Sequence, residues 1–244
     1  MSLADTRQAN TRQVLPPQRA IRSFVRREGR LTPGQRRALQ QYWSRYGLKL
    51  TAQAVDLNRI FGRQAPCIVE IGFGMGDALL GLASEYPANN YLGIEVYQPG
   101  VGSLLRRLAA RHQEHVRVIS EDAAVVLRQM IRDQALDAVY LFFPDPWPKK
   151  RHHKRRLVQP EFVELLARKL RPGGVFHMAT DWHDYARHML QVTTDHNGFC
   201  NLAGEGRFAP RPAYRPLTKF EQRGRRLGHD VYDLVLLRRD DAAA

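Results

Sequence analysis

From Ile68 onward the chain alternates two hydrophobic periods. Short runs rich in β-branched and aromatic residues read as strands: Ile68 to Ile71, Tyr91 to Glu95, Val116 to Ile119, Leu136 to Phe143, Val175 to Ala179 and Val231 to Leu237. Segments with helical spacing separate them. These are Leu79 to Tyr86, stopped by Pro87, Val101 to Arg111 with Leu104, Leu105 and Leu108 on one face, Ala123 to Ile131, Phe162 to Leu170 ended by Arg171-Pro172-Gly173-Gly174, and Tyr185 to Val192. Such β–α alternation predicts an α/β fold: an open, mostly parallel twisted sheet with helices on both faces. A long irregular stretch precedes the last strand. Upstream, Thr32-Pro33 reads as an N-cap followed by the first helical residue. That helix runs to about Tyr46, with Leu39, Tyr42, Trp43 and Tyr46 spaced to pack into a core. Leu48 to Phe61 holds a second short element.

The first of these strands leads into Gly72, Gly74 and Gly76 and then into a helix, an arrangement that brings backbone close to a ligand. A dinucleotide fingerprint G-x-G-x-x-G needs a glycine at position 77, which is Asp77. Glu70, two places before the first glycine, faces the ligand from the strand's carboxyl end. A carboxylate there repels a pyrophosphate and attracts an ammonium group. The other predicted strand ends are acidic too: Glu95, Glu121-Asp122, Asp145 and Asp181. Ligands of open α/β sheets sit along this rim. Glu95 is placed to receive ribose hydroxyls, and Asp122 to accept from an adenine amine. Ammonium, ribose and adenine without phosphate describe S-adenosyl-L-methionine better than NAD. The competing reading is a tight strand–helix turn that binds nothing.

Charge adds a second partner. Lys and Arg number 38 against 24 Asp and Glu, a net +14 with a pI near 10.4. A surplus of this size favours a polyanion, nucleic acid before anionic membrane. Residues 1–32 form a basic arm, carrying Arg7, Arg12, Arg19, Arg22, Arg26, Arg27 and Arg30 against Asp5 and Glu28. We expect it to be mobile, with the domain proper at 33–244. Cys67 and Cys200 give neither a disulfide framework nor a metal cluster, so no metal is expected. No apolar run approaches the roughly 20 residues that span a bilayer. A cytoplasmic protein is expected.

Certain motifs are more specific. V-E-I-G-F-G-M-G (69–76), G-I-E-V (93–96), L-F-F-P-D-P-W-P-K-K-R-H-H-K-R-R (141–156), A-T-D (179–181), T-K-F-E-Q-R-G (218–224) and, in the arm, R-S-F-V-R-R-E-G-R-L-T (22–32) together resemble the bacterial tRNA (guanine-N7-)-methyltransferase family. The resemblance covers nearly the whole chain; His153 departs from it, standing where many members have Asn. It implies a Rossmann-like class I methyltransferase fold and methyl transfer from S-adenosyl-L-methionine to N7 of guanosine 46 in the tRNA variable loop. It also implies a monomer or homodimer with no membrane. Asp145 takes the catalytic place. The cofactor falls to Glu70, Gly72, Gly74, Glu95, Asp122 and Asp145. The target base falls to Lys149, Asp181, Thr218, Lys219, Phe220 and Glu221, and further RNA to Lys150, Arg151, His152, His153, Lys154, Arg155 and Arg156.

The chemistry agrees with that assignment. Pro144, Pro146 and Pro148 stiffen the segment that carries Asp145. Guanine N7 is already a lone-pair nucleophile and its product is a cationic ring, so positioning and electrostatics matter more than a general base. The adjacent N1–H and N2–H₂ donors of guanine suit a bidentate carboxylate, for which Asp145, Asp181 and Glu221 are candidates. Phe220 is suited to stack on a splayed-out base, and equally to pack in a core. Three rivals remain at this level. An exocyclic-amine methyltransferase fits Asp145-Pro146-Trp147 but lacks a second consecutive proline. A nonenzymatic RNA-binding protein explains the charge and not the acidic rim. A nicotinamide-dependent reductase explains the sheet and not G-x-G-x-G.

Overall fold

The Oγ1 of Thr32 accepts from the Gln35 amide at 3.3 Å and the Gln35 side chain accepts from the Thr32 amide at 2.9 Å. This capping box, with proline at the first helical position, starts α1 (Pro33–Tyr46) where the sequence places it. The computed structural model describes residues 23–24, 29–226, 228 and 230–240. The rest of the basic arm lies outside the described residues, as do the side chains of Lys219, Phe220, Arg223 and Arg225.

After α1 come β1 (Gly47–Leu48), α2 (Leu57–Phe61), β2 (Cys67–Ile71), α3 (Asp77–Glu85), β3 (Asn90–Ile94), α4 (Gln98–Ala110), β4 (Val116–Ile119), α5 (Ala123–Gln129) and β5 (Leu136–Phe142). A 3-10 turn at Lys150–Arg155 leads to α6 (Pro160–Lys169), β6 (Leu170–Thr180), α7 (His183–Thr194), β7 (Phe199–Asn201), α8 (Lys219–Arg226) and β8 (Tyr232–Arg238). The eight strands form one sheet in the order β1-β4-β3-β2-β5-β6-β8-β7. β1 to β6 pair in parallel, while β8 runs antiparallel to both β6 and β7. The fold is therefore the mostly parallel α/β sheet that the periodicity predicts.

Alternation along β2 divides the core. Cys67, Val69 and Ile71 face a layer with residues of α5, α6 and α7, whereas Ile68 faces α3 and α4. Two short strands, β1 and β7, carry no period to read and were not expected. Arg171-Pro172-Gly173-Gly174, expected as a helix stop, lies within β6 as an irregularity: Leu136 pairs with Leu170 but Ala138 with Val175. Among the described residues no helix is long and apolar enough to cross a membrane.

Strand order reverses between β2 and β5. Their carboxyl ends open the crevice in which doubly wound sheets bind ligands.

Candidate active site

The glycine turn after β2 forms one wall. Gly72 and Gly74 have φ of 73° and 55°, left-handed values that cost other residues about 1–2 kcal/mol. A Cβ added to either would meet nothing within 4 Å, so open space lies over their backbone. From below, α4 presses on the turn so closely that a Cβ on Gly100 would overlap the Gly74 carbonyl oxygen.

Glu95, just past β3, holds the turn. Its Oε2 accepts from the Gly74 amide at 2.7 Å, and its Oε1 from Val96 and Tyr97 at 2.7 and 2.9 Å. Burial raises its pKa; the three amides oppose the shift and the charge of Asp145 adds to it. Asp122 caps α5, its Oδ1 accepting from Ala124 and Val125 at 2.8 and 3.2 Å.

Glu70 differs from these. It lies within β2, between Gly93 of β3 and Tyr140 of β5, and only 3% of it is exposed. Its Oε2 has no hydrogen-bond partner among the described residues. Burial first, and Glu95 second, push its pKa up to about 8. A buried carboxyl oxygen without a donor is costly. An ammonium group seated beside the glycine turn is the donor this site lacks. The residues present thus fit the amino-acid end of S-adenosyl-L-methionine.

The opposite wall is the loop after β5. The Phe143 amide donates to Ala179 of β6 at 2.7 Å, so the segments carrying Asp145 and Asp181 leave adjacent strands side by side. Phe143 and Trp147 have φ of 52° and 47°, strained for non-glycine residues, and they bracket Asp145. Trp147 donates through Nε1 to the Ser23 carbonyl at 3.2 Å, and the Arg155 guanidinium lies 5.1 Å from its ring centre. Lys149, Lys150, Arg151 and Lys154 are exposed beyond the loop, while His152, His153 and Arg155 are half-buried. Arg156 corrects the expected RNA surface: its side chain is buried against Pro146, His153, Asp184 and Tyr185 and is not placed to meet a phosphate.

The late T-K-F-E motif has a local structural basis. Thr218 Oγ1 accepts from the Glu221 amide at 3.1 Å, starting α8. The Glu221 carboxylate is fully buried and accepts from Arg215 Nη1 at 2.5 Å. Arg215 also binds Asp233 of β8 through Nε at 2.6 Å and Nη2 at 2.9 Å. His177 of β6 contacts Asp233 at 2.8 Å and the Tyr214 hydroxyl at 3.0 Å. Burial holds the His177 pKa below its ordinary value, against the Asp233 hydrogen bond. This network locks the segment before α8 to β6 and β8. Neither this network nor the close approach of Gly100 was expected from the sequence. Thr218 followed three residues later by Glu221 was a readable helix-start signal; the partners of Arg215 left none.

The structure therefore gathers Glu70, Gly72, Gly74, Glu95, Asp122, Asp145 and Asp181 along one rim. It turns Glu221 inward in its ion pair. The side chains of Lys219 and Phe220 fall outside the described residues.

The sequence model of a family described as putative methyltransferase matches residues 64–234. The chain is 56% identical over 220 residues to a tRNA (guanine-N(7)-)-methyltransferase of Hydrogenovibrio crunogenus, across 90% of this chain and 92% of that protein. It is 55% identical over 224 residues to a protein of the same description from Stutzerimonas stutzeri, across 92% and 94% respectively. Among solved structures, the 16S rRNA methyltransferase KamB matches with a TM-score of 0.56 at 14% identity, covering 80% of this chain and 99% of that one. That last likeness concerns the fold.

Proposed function

This chain belongs to the tRNA (guanine-N7-)-methyltransferase family, and we propose that it methylates guanine N7 of tRNA with the Glu70–Glu95–Asp145 rim as its centre. The observation that carries the reading is the buried Oε2 of Glu70, which has no hydrogen-bond partner among the described residues and lies beside an open glycine turn. S-adenosyl-L-methionine supplies an electrophilic methyl group at this rim. Glu70 would hold its ammonium end, Gly72 and Gly74 would allow close backbone approach, Glu95 would take the ribose hydroxyls, and Asp122 would accept from the adenine amine.

The N7 lone pair would form the new N–C bond as the C–S bond of the bound sulfonium breaks, leaving a neutral thioether. No proton leaves guanine N7. The purine gains the positive charge, so a fixed carboxylate favours the transition state over the ground state. Asp145 provides that charge from a strained, multiply anchored loop. Asp181, half-buried on the neighbouring strand end, and Thr218 at the start of α8 orient the base with Lys149. Lys150, Arg151 and Lys154 meet phosphates, as their exposure and charge allow. The protein works in the cytoplasm, where its tRNA is.

Labelled S-adenosyl-L-methionine and bulk tRNA, followed by nucleoside mapping, test the reading. The expected product is 7-methylguanosine, at position 46 of the variable loop. Label on an exocyclic amine, or no transfer from cofactor to RNA, overturns it.

A further inference from the structure

We propose that Arg156 is a positioning residue that holds the Asp145–Pro146 segment against α7; the idea rests on the reading that Asp145 serves the transfer. Arg156 closes a run of cations, yet only 2% of it is exposed. Its Nε donates to the Pro146 carbonyl at 3.0 Å. Its Nη2 pairs with Asp184, in the first turn of α7, and lies 3.1 Å from His153 Nε2. The guanidinium carbon sits 4.9 Å from the centre of the buried Tyr185 ring.

One planar group thus joins three elements. Pro146 follows Asp145 directly, and Asp184 comes three residues after Asp181. The two carboxylates leave adjacent strand ends, and Arg156 ties the backbone of one exit to the helix that follows the other. Proline has no N–H, so its carbonyl is the backbone handle this stretch of loop offers. The φ values at Phe143 and Trp147 persist only where surrounding contacts over-determine them. The Arg156 fork supplies one such contact between them, at the residue directly before Trp147.

A lysine cannot make this arrangement. It carries a point charge on a flexible stem and cannot serve two acceptors at fixed angles. A phosphate contact, by contrast, tolerates lysine. Arg156→Lys therefore separates the two roles. Asp184 is 63% exposed, so Asp184→Asn weakens the same fork at little risk to folding.

Both variants are compared with wild type for kcat and KM at saturating cofactor and for tRNA affinity across a salt series. Hydrogen exchange at the Asp145 and Trp147 amides is also followed. Misplacing a reacting group by about 1 Å costs about 10²-fold in rate. Arg156→Lys is expected to lose roughly 10- to 100-fold in kcat, with tRNA affinity, salt slope and S-adenosylhomocysteine binding unchanged and faster exchange at both amides. Asp184→Asn is expected to shift the same quantities in the same direction by a smaller factor. Wild-type kcat and exchange in both variants overturn the proposal. Weaker tRNA binding with a flatter salt slope at constant kcat overturns it in favour of a phosphate contact. Should Arg156→Lys not fold, Asp184→Asn decides alone. Exchange needs no substrate, so it reads the positioning even if the wild-type protein leaves guanine N7 unmethylated, which is the separate failure of the functional reading.

Discussion

The Gly74 amide donates to Glu95 Oε2 at 2.7 Å, binding the glycine turn after β2 to the end of β3. With Val96 and Tyr97 on Oε1, both carboxylate oxygens accept backbone amides. Glutamine is therefore no substitute, because either amide orientation points an NH₂ at a backbone N–H. Glu95→Ala and Glu95→Gln should each weaken S-adenosylhomocysteine binding by about 1–3 kcal/mol, the cost of losing hydrogen bonds to a charged group. Calorimetric titration checks this. Wild-type affinity in folded Glu95→Gln would remove Glu95 from the site.

Glu70 makes cofactor binding pH-dependent. Its pKa of about 8 in the folded protein stands above the ordinary 4.5. The folded state therefore holds an extra proton between those values, and the resulting stability is fully present below pH 4.5 and lost as pH rises through about 8. An ammonium ligand needs the ionised form, so binding expels this proton. S-adenosylhomocysteine affinity should climb by up to about tenfold per pH unit between about pH 6 and 8, one pKa unit being worth about 1.4 kcal/mol. Titrations in buffers of different ionisation heat should show one proton released. Glu70→Gln should bind more weakly at pH 8 and lose the slope. Flat wild-type affinity would mean that Glu70 stays neutral under the ligand.

Lys150, Arg151 and Lys154 stand exposed past the proline loop. Replacing all three by Ala should weaken tRNA binding and lower the slope of log affinity against log salt by roughly 0.7–0.9 per lost phosphate contact. S-adenosylhomocysteine binding should not change. Equal salt slopes in wild type and variant would place the RNA elsewhere.

The legible parts of the sequence were those governed by local rules. Ile68 to Ile71 is a parallel strand because its neighbours on both sides are apolar, and the glycines after it mark the turn. Thr32-Pro33 marks a helix start through its own side chain and ring. Glu95 reads as the acidic end of the next strand, and pairing of that strand with β2 brings it to the glycine turn. What escaped depends on distant partners. Among the cations of 149–156 nothing distinguishes Arg156 until Asp184, 28 residues on, draws it inward. Glu221 faces Arg215 rather than the crevice because Asp233 of β8 fixes that guanidinium. Two residues of β1 and three of β7 are too few to show a period.

The last prediction separates chemistry from binding. A tRNA with 7-deazaguanine at the target keeps the Watson–Crick donors and lacks the N7 lone pair. It should bind with wild-type affinity and accept no methyl group; continued methylation would mean that an exocyclic amine is the nucleophile. Asp145→Asn is the companion on the protein. It preserves the shape of a side chain held between two strained residues and removes only the charge, so the loop should keep its fold. S-adenosylhomocysteine and tRNA affinities should stay near wild type. Turnover should fall by about 10²–10³, the usual loss for one preorganised electrostatic partner. Single-turnover rates at saturating substrates read the chemical step directly. If those rates match wild type, the Asp145 carboxylate is not used where the purine becomes cationic. Asp181, on the adjacent strand end, then becomes the better source of that charge, since Glu221 is already engaged with Arg215.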